Sequence, residues 1–163
     1  MRLARLFALL ICSAITAASA QTPPPGQDQT AQSKSAYLPK VGDIMGQTQL
    51  RHFKLWFAGS LGNWQLANYE IGQIWDSFDT AAKLYPMLGD VPFAQLLKGE
   101  SVPPLADMDK AIAAKNNKEF DAAFERLTAA CNSCHVAAHV GFIKIKVPTS
   151  SPFSDQSFPP QRN

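Results

Sequence analysis

Phe120, Phe124, Leu127, Cys131, Cys134 and Ala138 recur in steps of four, three, four, three and four. That rhythm keeps all of them on one face of an α-helix. A helix with one apolar face has to bury it against other elements. The stripe is unusual because it ends on two cysteines that belong to a tighter motif, Cys131-Asn132-Ser133-Cys134-His135. Whatever fold the chain adopts must therefore leave a pocket beside the last turns of this helix.

The rest of the sequence supplies helices to build that pocket. A first helix is expected from Val41 to Gly59, with Met45, Gln49, His52 and Trp56 as its stripe and Leu50, Phe53 and Phe57 on the flank. Gly59, Gly62 and Asn63 mark a tight connection, and Asn63 is a natural N-cap for a second helix. That helix should bury Ala67, Ile71, Ile74, Phe78, Ala81 and Tyr85 and stop at Pro86. Residues 86–103 read as a longer crossover, with a short helical turn at Phe93 to Leu97. A third helix is expected from Pro104 to Lys115, burying Leu105, Met108 and Ile112. The fourth, carrying the opening stripe, starts near Lys118 and ends at Gly141. Met108 and Met87 read as core and loop residues. With no strand-rich segments and no repeats, the expected fold is all-α, an up-down four-helix bundle. Phe142, Ile143, Ile145 and Val147 suggest a short extended stretch, and Pro148, Pro152, Pro159 and Pro160 keep the tail irregular. Phe153 and Phe158 are candidates to pin it to the body.

Two cysteines followed at once by histidine form the attachment signature of a c-type haem. Each thiol can add to one vinyl group, and His135 then faces the iron as proximal ligand. A redox dithiol usually sits at a helix N-terminus, where thiolate is stabilised; this pair lies near a C-terminus, where the dipole disfavours it. A disulfide across so short a loop would constrain the unfolded chain little. Zinc would need a fourth ligand, with His139 or His52 on offer. Haem c, with its iron, is the preferred reading.

The N-terminus supports the compartment this chemistry needs. Arg2 and Arg5, the apolar run from Leu6 to Ile15, and Ala18-Ser19-Ala20 read as a signal peptide cleaved after Ala20. The run is too short for a span of about 20 residues, and the lipoprotein alternative at Cys12 is disfavoured by Ile11. Export to the periplasm follows, with no stable membrane insertion. Residues 21–39 form a flexible linker, 40–141 the haem domain, and 142–163 an extension packed on it. Losing Arg2 and Arg5 brings the formal charge of +2 to near zero, which gives no sign of nucleic-acid binding.

The second iron ligand is read from height in an antiparallel bundle. Met45, near the start of the first helix, lies level with His135, near the end of the fourth. His52 is seven residues further along, about 10 Å at the α-helical rise. Met45 is therefore the expected distal ligand. His52 reads as a buried polar group or a neighbour of a haem propionate, and His139 as exposed or in the surroundings of His135. Arg51, Lys54, Arg126 and Lys144 are candidates for the propionates.

With these residues in place, the chain resembles the cytochrome c-prime class of bacterial four-helix-bundle cytochromes. The shared pattern is the Cys131–His135 signature late in the fourth helix and a first-helix residue, here Met45, on the distal side. The resemblance to its low-spin members implies a helix-one methionine as sixth ligand. High-spin members leave that position open and bind small gases. More of the chain is similar to exported monohaem cytochromes, over Gln49 to Trp64 (QLRHFKLWFAGSLGNW), Asn68 to Ile71 (NYEI), and Cys131 to Pro159. Two departures stand out: the chain runs on to Asn163 beyond the haem histidine, and His139 stands where the class tends to carry Arg or Lys. No nucleophile–base pair or phosphate loop points to an enzyme. The expectation is a one-electron carrier serving redox partner proteins, with first-helix aromatics permitting a homodimer. The alternatives are a five-coordinate haem protein binding nitric oxide or carbon monoxide, and a cytochrome subunit serving one dehydrogenase.

Overall fold

Four helices pack in sequence order into an all-α bundle: α1 (Val41–Ser60), α2 (Trp64–Leu84), α3 (Phe93–Ala113) and α4 (Asn117–Ala137). The computed structural model describes residues 37–161. The signal peptide and residues 21–36 of the linker lie outside them. The helices and the C-terminal extension form one compact unit that starts at Leu38. Among the described residues, no helix is long and apolar enough to cross a membrane.

Local chemistry accounts for the helix ends. The Asn63 side chain accepts from the Leu66 N–H at 3.1 Å and starts α2, and Asn116 accepts from the Glu119 N–H at 3.2 Å and starts α4. Each satisfies one of the donors a helix start leaves open. α1 closes through Gly62 at φ 75°, with Asn63 N–H bonded to the Ala58 carbonyl. This is the left-handed position that glycine occupies without strain.

Three expectations need correction. The third helix does not begin at Pro104: α3 begins at Phe93 and runs through Pro103 and Pro104. Each internal proline costs about 3 kcal/mol. Burial of Phe93 and Leu97, both 4 % exposed, offsets this, since full burial of such a side chain contributes about 1.5–3 kcal/mol. The crossover therefore shrinks to Tyr85–Pro92, closed by a turn in which Leu88 and Val91 bond each other. The fourth helix ends before Gly141. His139 takes the left-handed turn at φ 60°, and Val140 N–H reaches back to the His135 carbonyl at 2.8 Å. Finally, of the expected α1 stripe only His52 is buried; Ile44, Thr48 and Leu55, one position round from Met45, Gln49 and Trp56, are buried with Ala58 and Gly59. Leu50 is exposed. α1 has two jobs: Ile44, Leu55 and Ala58 join the core, while His52, Trp56 and Gly59 meet Thr128, Phe124 and Phe120 of α4.

Gly59 belongs to the last turn of α1 rather than to the connection. A Cβ there would come within 2.0–2.5 Å of the outer carbons of the Phe120 ring, which is fully buried. Mid-helix glycine normally costs about 0.5–1 kcal/mol relative to alanine; close approach to α4 explains its presence. Gly59→Ala should destabilise the protein by about 2 kcal/mol through overpacking. Urea unfolding followed by tryptophan fluorescence would check it, because Trp56 and Trp64 both lie against Phe120.

Candidate functional site

The register of α1 on α4 can be followed turn by turn. Gly59 meets Phe120, the Trp56 ring lies 4.9 Å from Phe124, and His52 Nε2 is 2.9 Å from Thr128 Oγ1. Each turn back along α1 thus meets a turn forward along α4. Continuing the progression sets Gln49 level with Cys131 and Met45 level with His135. At the Gly59 end the helices are wedged together by aromatic rings. At the Met45 end they part around a cavity of about 310 Å³.

Met45, Cys131, Cys134 and His135 all line this cavity. Phe78 of α2 and Phe93 and Leu97 of α3 also contribute to its walls, together with Val140, Ile143 and Ile145 of the extension. The size falls within the range of cofactor sites, about 300–1,000 Å³. Gly42 and Gly46 line it on either side of Met45, and a Cβ at either position would meet nothing within 4 Å. Glycine at these helical positions keeps the surface of α1 low around the methionine. An apolar slot with two thiols on one wall, an imidazole beside them and a thioether level with it on the facing helix fits a covalently held haem.

His135 is half-buried, and its Nδ1 lies 2.8 Å from the Ile143 carbonyl. A carbonyl only accepts, so Nδ1 carries the proton in this bond and Nε2 retains the lone pair a metal needs. Burial pushes the Cys131 thiol up to about 12, reinforced by neighbouring Cys134; burial, then the Glu100 carboxylate, pushes Cys134 up to about 11. Both thiols are thus held neutral, unlike the thiolates of disulfide oxidoreductases. Neither is in a disulfide.

His52 is a buried core histidine. Thr128 Oγ1 donates to the Phe124 carbonyl at 2.8 Å, which leaves it to accept from His52 Nε2–H. Burial lowers the pKa to about 4, so the ring is neutral at pH 7. Its ring lies 4.3 Å from that of Phe124, tilted by 34°, and forms part of the cavity wall. His139 is exposed, 4.0 Å from Asp90. Among the described residues, no group of three or more His, Cys, Asp or Glu is placed to hold a metal ion. Of the propionate candidates, Arg51 bonds Glu70 at 3.2 Å, Arg126 pairs with Asp107 at 3.2 Å, and Lys54 lies over the Phe153 ring. Lys144 is exposed and lines a separate surface hollow that shares Gln49, His52 and Ile145 with the cavity.

Sequence reasoning missed the extension's route. Val140 to Ile145 crosses the cavity, while Phe153 and Phe158 pack 5.9 and 5.5 Å from Phe53 and Phe57, nearer the other end of α1. Asn63 Nδ2 donates to the Phe158 carbonyl at 3.0 Å. The side-chain-to-backbone bonds that also hold the extension leave no periodic trace in sequence. Comparison with protein-family models, curated proteins and solved structures finds no match to this chain.

Proposed function

We propose that the protein is an exported monohaem c-type cytochrome that carries single electrons between partner proteins. The observation that supports this most is the meeting of Cys131, Cys134, His135 and Met45 on one apolar cavity. In this reading the Cys131 and Cys134 thiols would hold the haem covalently, and His135 Nε2 and the Met45 thioether would be offered to its iron, as the resemblance to low-spin c-prime cytochromes implies. The bound haem would supply the ferric–ferrous couple, which Met/His ligation places at raised potential. The bundle excludes water from the metal and holds both ligands on rigid helices, so little rearranges on electron transfer. No bond-making chemistry is assigned to the site.

The test is the visible spectrum of the reduced holoprotein with and without carbon monoxide. An unchanged spectrum is expected, and Met45→Ala should make the iron bind the gas and turn high-spin. Ready gas binding by the unaltered protein would overturn the Met45 assignment. It would favour a five-coordinate protein for nitric oxide or carbon monoxide. The observation that keeps that second reading in play is His52, a neutral imidazole on the cavity wall within two turns of Met45.

A further inference from the structure

Asn132 lies between the two cysteines of the signature, where the cofactor chemistry requires no particular residue. Its side chain is nevertheless fully engaged. Nδ2 donates to the Ile145 carbonyl at 2.9 Å and to the Thr128 carbonyl at 3.1 Å, while Oδ1 accepts from the Ile145 N–H at 2.9 Å. The amide thus grips Ile145 in both directions, as a neighbouring strand would. Ile145 stands two residues beyond Ile143, whose carbonyl accepts from His135 Nδ1. Asn132 and His135 are one turn apart on α4, so both take hold of the same short stretch from one helix face. Between Ile143 and Pro148 the extension has no regular secondary structure. Its backbone position near the site depends on these side chains and on the packing of Val147 and Pro148.

We propose that Asn132 is a positioning residue for the proximal histidine: by clamping Ile145 it fixes the Ile143 carbonyl that orients His135 and keeps its proton on Nδ1. The proposal rests on the haem reading for its redox consequence. A donor bond from the distal nitrogen of a ligating imidazole fixes ring orientation and raises ligand basicity. A more basic ligand favours ferric iron. Loosening the clamp should therefore move the reduction potential in the positive direction.

The experiment compares the full-length holoprotein with Asn132→Ala, alanine being the best helix former for a position inside α4. Three readouts are taken: amide hydrogen exchange at Ile145, the imidazole nitrogen and Nδ1–H signals of His135, and the reduction potential. The expected result is at least tenfold faster exchange at Ile145, a broadened or lost Nδ1–H signal, and a positive shift in potential. Unchanged exchange would overturn the clamp. Faster exchange with an unchanged Nδ1–H signal and potential would overturn the positioning role, leaving Asn132 as a strap anchor alone. Should Asn132→Ala not accumulate, Asn132→Asp keeps the acceptor for the Ile145 N–H and loses the donor. It should fall between the two in exchange and in the His135 signals, and no change in either would overturn the proposal. If the unaltered protein carries no haem, its spectrum shows that at once; the exchange and imidazole signals still decide whether Asn132 positions His135.

Discussion

On the proposed haem reading, replacing Cys131 and Cys134 together with alanine should leave a chain that retains no haem through denaturing electrophoresis and unfolds more easily than the unaltered protein. The second effect follows from the volume of the site. An apolar cavity costs on the order of 24 cal/mol per Å³ left unfilled. For about 310 Å³ a sealed void would cost ~7 kcal/mol, and the cost here is smaller because the cavity opens to water and the helices can partly collapse inward. Whole-domain stabilities are only ~5–15 kcal/mol, so even a part of that cost is a large share of the total. The loss should also be local. Amide exchange should accelerate first around Met45, Cys131 and the overlying Val140–Ile145 stretch. The end held by Trp56, Phe120 and Phe124 should keep its protection longest. If the double variant unfolds at the same urea concentration as the holoprotein, the cavity is not the seat of a stabilising cofactor.

How far the sequence carried the fold depends on the kind of interaction. Apolar periodicity located α2 and α4 and their buried faces, because one stripe of each packs on its neighbours: Ile71, Ile74 and Phe78, and Phe120, Phe124 and Leu127 are all buried. Capping chemistry located Asn63 for the same local reason. The pattern misled in α1, where two faces are in use and the most aromatic is not the most buried. It misled in α3 because a local rule, proline at a helix start, was overridden by the burial of Phe93 and Leu97. That Met45 and His135 line one cavity was legible as a height argument, since in an up-down bundle the start of the first helix lies at the same end as the finish of the fourth. Contacts between groups distant in sequence were not legible. The Asn132–Ile145 clamp, the His52–Thr128 pair and the Arg51–Glu70 pair join positions with no shared period, and each is set by how the helices dock.

The Arg51–Glu70 pair yields the other large effect. Glu70 lies on the buried face of α2, 1 % exposed, with the Arg51 guanidinium 3.2 Å away. Arg51 itself is partly exposed and lies 5.7 Å from the Tyr69 ring centre. Arg51→Met would preserve much of the side chain's bulk but strand a buried carboxylate. Breaking such a pair from one side costs about 3–5 kcal/mol, because the remaining charge has lost its compensation. That corresponds to a fall in melting temperature of about 10 °C or more for a domain of this size. Adding Glu70→Met should recover most of the loss, since a buried pair replaced by apolar groups of similar volume is often neutral. The recovery, read as a double-mutant cycle, would measure the coupling directly. The same variant decides between two roles for Arg51. As a haem-propionate partner, its loss would shift the haem spectrum or potential with little change in melting. As the α1–α2 tie that the Glu70 bond makes it, its loss should lower the melting temperature while the spectrum of the folded holoprotein stays unchanged. The pair ties α1 to α2 through two residues that do not line the cavity.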